Sequence, residues 1–123
     1  MTVRRVVPDI PTTPAGVAAS RTFYRRLGLE PVMDLGWVMT MASPSNPTAQ
    51  ITFGTEDRTA PVAADISVEV ADVDAVHAAV RESGAEIVRD LRDEEWGVRR
   101  FFVRDPNGKV VNVLSHRDTL RPQ

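Results

Sequence analysis

Two aspartates 56 positions apart, Asp9 and Asp65, are the residues of this 123-residue sequence best able to do chemistry together. Brought into one cavity, two carboxylates can hold calcium or magnesium loosely. Without a cation they share a proton, with one pKa pushed upward, or they grip a cationic ligand. The structural alternative is that each sits at a strand, solvated or hydrogen-bonded to backbone. Alternation along Asp65–Val70 puts Ile66, Val68 and Val70 on one face and Asp65, Ser67 and Glu69 on the other. The apolar face is expected to pack on helices, leaving the acidic face toward a cavity, where Glu69 is a further candidate for abstracting a proton.

Aromatic residues are the second group. Phe101 and Phe102 must point to opposite sides of a strand, so one of them, taken here as Phe101, is a candidate for facing a ligand. Trp96, beside Gly97, can stack on a planar ligand at a cleft mouth or pack across a subunit or module contact. Trp37, Met39 and Met41 share one strand face, for which core is the default reading. His77 lies at the edge of a helical stripe and reads as a satisfied structural residue. His116 shares parity with Val110, Asn112 and Leu114 at the end of the last strand, where it is either an acid–base group or a surface histidine.

Other chemistries are excluded by what is missing. There is no cysteine, hence no disulfide, thiolate metal site or cysteine nucleophile. No G-x-S-x-G, P-loop or G-x-G-x-x-G is present, and Ser115-His116 adjacency does not give nucleophile–base geometry. Arginines are doubled at Arg4-Arg5, Arg25-Arg26 and Arg99-Arg100, but acids are interleaved and the net charge is −2, so no nucleic-acid partner is expected. No stretch approaches a membrane span or a signal peptide, and a cytoplasmic protein is the expectation.

The elements that must position these residues form a repeat. A strand near Arg4–Ile10 leads to Thr13-Pro14, an N-cap followed by proline at the first helical position. Ala15, Ala19, Phe23 and Leu27 then recur at four-residue steps before Gly28, and are read as the buried stripe. In the second copy Asp72 caps a helix with Val73, Val76 and Val80 inward, ended by Gly84. A gap-free shift of 56 lays Asp9 on Asp65, Ile10 on Ile66, Arg25 on Arg81, Gly28 on Gly84 and Asp34 on Asp90. Extended segments follow each helix: Leu29–Asp34, Gly36–Ala42 and Ala49–Phe53, then Ala85–Arg89, Arg99–Arg104 and Lys109–Leu114. The turns "SPSNPT" and "DPNG" join the last two of each set. The fold class is α+β, one domain of two tandem β-α-β-β-β modules, about 1–58 and 61–118.

With its landmarks "SRTFYRRLGL", "DISVEVADVDAVHAAVRESGAEI" and "WGVRRFFVRDPNGKVVNVLSH", the chain resembles the vicinal oxygen chelate superfamily: glyoxalases, extradiol dioxygenases and bleomycin resistance proteins, most of all the last branch. The resemblance implies curled sheets enclosing a cleft, and a homodimer, swapped or unswapped. It also implies that metal ligands in metal-using members come from the first and last strand of each module, which fall here at Asp9, Thr52, Asp65 and Asn112. None of these is histidine, so zinc, nickel and iron chemistry is not expected, and no cofactor.

The ligand-binding candidates are therefore Asp9, Trp37, Thr52, Asp65, Ser67, Glu69, Trp96, Phe101 and Asn112. The expected function is metal-free binding of a small molecule, with sequestration of a cationic or aromatic compound, as in antibiotic resistance, its concrete version. Its rival is an isomerase, epimerase or lyase using Asp9, Asp65 or Glu69, with or without a weakly held divalent cation. A regulatory interaction module is the third class.

Overall fold

The computed structural model describes residues 2–55, 60 and 62–117; the expected module boundary near 58–61 falls outside these except at residue 60. Module one is β1 (Val3–Pro11), α1 (Pro14–Arg25), β2 (Glu30–Asp34), β3 (Val38–Ser43) and β4 (Asn46–Gly54). Module two is β5 (Ile66–Val70), α2 (Val73–Glu82), β6 (Ile87–Asp93), β7 (Val98–Arg104) and β8 (Val110–His116). The strands form one eight-stranded mixed sheet in the order β2-β3-β4-β1-β5-β8-β7-β6. Within each module the first strand runs parallel to the last, and the modules join by antiparallel pairing of β1 with β5.

Local chemistry fixes the helix ends. Thr13 accepts the Gly16 N–H and Asp72 the Ala75 N–H, each filling one orphan donor of a first turn. Gly28 and Gly84 take left-handed φ of 102° and 81° just past the helices, where a Cβ would be strained. Several strands run beyond their expected ends. β4 begins at Asn46, so its turn from β3 is shorter than "SPSNPT", and β6 continues to Asp93 by pairing with Arg99 after a register shift.

Each helix covers its own module's half of the sheet. Val73 of α2 packs with Val70, Phe101, Val103 and Val113, and Val76 and Val80 join them as expected. On α1 the expected stripe is wrong. Ala15, Ala19, Phe23 and Leu27 are exposed, and the inward residues are Val17 and Tyr24, against Met39, Met41 and Phe53. The Tyr24 ring lies 5.0 Å from that of Phe53. Strict four-residue steps gain about 40° per step on a helix of 3.6 residues per turn, so such a row slides off a straight face.

The other face of the sheet curls into a concave wall. Trp37, just before β3, and Trp96, just before β7, meet with ring centroids 5.3 Å apart in an edge-to-face contact. Those residues belong to different modules, so the two arms of the sheet close on each other within one chain. Among the described residues, no helix is long and apolar enough to cross a membrane.

Candidate functional site

The concave wall encloses a cavity of about 390 Å³ lined from both modules. Its layout follows from strand register. Asp9 on β1 lies beside Thr52 on β4, and Ser67 on β5 lies beside Asn112 on β8. All four line the cavity. Ser67 therefore stands in module two where Asp9 stands in module one, 58 positions earlier, and the 56-residue offset fails here. It holds at Gly28 and Gly84, but α1 has 12 residues and α2 has 10, so the two copies drift apart by the N-caps and first strands.

These side chains form a directed chain of hydrogen bonds. Asn112 Nδ2 donates to Ser67 Oγ at 3.0 Å, and Ser67 Oγ donates to Asp9 Oδ2 at 2.7 Å. Asn112 Oδ1 is buried without a partner. Burial pushes the Asp9 carboxyl up to about 6; the Ser67 bond and the charges of Arg100 and Arg5 oppose that rise without cancelling it. Beside it, the Thr40 and Thr52 hydroxyls are 2.8 Å apart.

Farther along the same face a second polar group spans four strands. Arg5 Nε donates to Glu69 Oε1 at 2.5 Å, Arg5 Nη1 to Gln50 Oε1, and His116 Nδ1 to Glu69 Oε2 at 2.7 Å. Burial raises the Glu69 pKa, but the His116 and Arg5 bonds outweigh it and hold the carboxyl below its ordinary 4.5. On β7, buried Arg100 donates to buried Glu94 at 2.7 Å, and its guanidinium stacks 5.0 Å from the Trp96 ring and 4.9 Å from Phe102. Glu94 also takes a bond from Arg89.

Of the nine residues singled out from sequence, Asp9, Trp37, Thr52, Ser67, Trp96 and Asn112 line the cavity, and Asp65, Glu69 and Phe101 do not. The Asp65 carboxylate turns to the backbone, accepting the Val110 N–H at 2.8 Å. Glu69 lies behind Arg5 and His116 as their common acceptor. Phe101 is fully buried under α2, and Phe102 takes the ligand-facing side. Met39 and Met41 are core, in keeping with the default for that stripe, but Trp37, which lies before β3 begins, lines the cavity instead of sharing their face. His77 is structural: Nε2 lies 2.6 Å from Asp90 Oδ1 and its ring abuts Phe101 at 4.9 Å. Arg5, Gln50, Thr40 and Arg100 were missed, because charged and polar strand residues ordinarily face water. Parity with Asp9 and Thr52 would have found Arg5 and Gln50.

A family model described as Glyoxalase/Bleomycin resistance protein/Dioxygenase superfamily matches residues 13–113. The chain belongs to that superfamily. No curated protein sequence matches it. Among solved structures it is similar to a member of the same superfamily from Vibrio splendidus 12B01 (18% identity, TM-score 0.65, covering 93% of this chain and 99% of that one). It is also similar to methylmalonyl-CoA epimerase from Mycobacterium tuberculosis (17%, 0.68, 97% and 90%). A third is an NAD-dependent benzaldehyde dehydrogenase from Legionella pneumophila (15%, 0.72, 91% and 99%). Such different names at similar likeness support the fold alone.

For this superfamily chain the metal question turns on donors. The four cavity positions offer one carboxylate, two hydroxyls and a neutral amide, and among the described residues no three His, Cys, Asp or Glu side chains gather. That set does not fit a zinc, nickel or iron centre.

Proposed function

We propose that the chain is a metal-free small-molecule-binding protein that sequesters a cationic or aromatic compound, acting in the cytoplasm. The observation that carries this reading is the Asp9–Ser67–Asn112 chain facing a cavity walled by Trp37, Trp96 and Phe102. A ligand cavity combines a mainly apolar lining with a few placed polar groups, and a single carboxylate beside indoles suits a protonated amine on a flat ring. The test is a thermal-shift series on chelator-stripped protein with manganese, iron(II), nickel, zinc, calcium and magnesium, then with aromatic amines. A ligand at about 100 times its Kd adds roughly 2.7 kcal/mol, several degrees for a domain of this size. A metal-dependent shift that Asp9→Asn removes would overturn the reading.

A second reading is an isomerase, epimerase or lyase, favoured by the raised pKa of Asp9, which brings a buried carboxyl close to neutrality as a proton acceptor. The two readings part at Asp9→Asn. An enzyme loses turnover while keeping its fold, whereas a binder loses affinity for amines and turns nothing over.

The proposed assembly is a homodimer, supported by the outward Phe23 on α1 and Leu27 just past its end, 53% and 66% exposed. Light scattering on Phe23→Glu measures it. Both walls of the cavity come from one chain, so a monomeric variant keeps its ligand.

A further inference from the structure

The Asp9 end of the cavity has a counterpart of opposite character. Arg5 on β1 and His116 on β8 mark it: Arg5 precedes Asp9 by four residues, and His116 follows Asn112 by four. Along a strand that is about 13 Å. At that distance Arg5 and His116 line the cavity, with Gln50, two residues before Thr52, beside Arg5.

Glu69 holds both side chains from behind. Its Oε1 takes Arg5 Nε, and its Oε2 takes His116 Nδ1. Arg5 Nη1 is committed to Gln50. Among the described residues this leaves Arg5 Nη2 and His116 Nε2 with no hydrogen-bond partner, on side chains that border the cavity and are fixed in orientation by a shared carboxylate. A histidine anchored at Nδ1 presents Nε2 outward. Arg100, paired with Glu94, adds a further positive group on the same wall. Val98, which pairs with His116, is two residues from Trp96, so an indole adjoins this end.

We propose that Arg5 and His116, joined through Glu69, form an anion subsite that takes the carboxylate of a small ligand whose ring lies against Trp96. The guanidinium Nη2–H groups donate to it in charge-assisted bonds, and the Nε2 edge of His116 borders the same space. The inference rests on the binding reading above and sharpens it: the ligand is an aromatic acid, and one bearing an amine at its far end is also read by Asp9.

The experiment is a titration of the full chain with benzoate, benzylamine and benzamide, following histidine and arginine side-chain and tryptophan indole resonances by 1H–15N NMR. Benzoate is expected to shift the His116 and Arg5 signals and leave those of His77, which is tied to Asp90, in place. Arg5→Gln and His116→Gln are each expected to weaken benzoate about tenfold and benzylamine less than twofold. Because His116 sits on the exposed rim, its variant remains informative should Arg5→Gln fail to fold. Equal weakening of both probes, or benzoate binding untouched by His116→Gln, overturns the subsite. If benzylamine moves the indole signals and benzoate moves nothing, the subsite falls and the binding reading stands. If no probe moves any indole signal, both fall.

Discussion

Asp9 donates its backbone N–H to the carbonyl of Asp65 at 3.0 Å, and from that shared bond the two carboxylates part. Asp65 turns to the Val110 N–H at the mouth of β8, while Asp9 turns to Ser67 inside the cavity. A pair of acids becomes one buried acid with a neighbour whose charge adds a small upward push on its pKa.

The first prediction concerns stability against pH. The Asp9 pKa rises from 3.8 to about 6 on folding, so the folded state binds more protons than the unfolded state between those values. Stability therefore falls as pH rises through that window. Asp9→Asn keeps an acceptor for Ser67 and removes the cost of ionisation. It should raise stability at pH 7.5 by about 1–3 kcal/mol and leave pH 4 nearly unchanged, read from urea melts at both values.

Glu69 gives the opposite slope. Its carboxyl is held below 4.5 in the folded chain, so its contribution is complete above that value and is lost as pH falls below it. Glu69→Gln should lower stability at pH 7 by roughly 1–2 kcal/mol, through weaker bonds to Arg5 and His116, and flatten the acid limb of the melting curve.

Trp37→Ala should open the cleft. It removes an edge-to-face partner of Trp96, worth about 0.5–1.5 kcal/mol beyond the area it buries. The expected result is a lower Tm and a red-shifted emission from Trp96 as water reaches its ring.

The two neighbouring phenylalanines should separate core from site. Phe101→Ala should cost about 3–5 kcal/mol, because the ring is fully buried against α2. Phe102→Leu removes less volume than that truncation and should cost less, while weakening aromatic ligands in the NMR titration. Weakening of aromatic ligands by Phe101→Ala and not by Phe102→Leu would contradict the assignment of faces.

Much of this fold was legible because its signals are local. Thr13 and Asp72 as caps, Gly28 and Gly84 as stops and the valine stripe of α2 are each set by a few neighbouring residues. The stripe of α1 was not, since Ala15, Ala19, Phe23 and Leu27 looked more apolar than Val17, Ser20, Arg21 and Tyr24, and only the sheet decides which side is covered. At the site, alternation named the correct face of β5 but could not tell Asp65 from Ser67, because a two-residue error in register preserves parity. Phe101 and Phe102 had the converse problem: alternation separates them without saying which is inside. Arg5 and Gln50 share parity with Asp9 and Thr52, which would have found them, whereas Arg100 carries no mark in the sequence that distinguishes a cavity wall from a solvated one.

Ser67 and Asp9 occupy matching places in the two halves, one neutral and one acidic. A cleft made from two like halves would greet a visitor identically after half a turn. Here the half-turn exchanges a carboxylate for a hydroxyl, so a molecule with distinct head and tail has one way to enter and one way to lie. The cavity thereby acquires a compass that the duplicated backbone lacks.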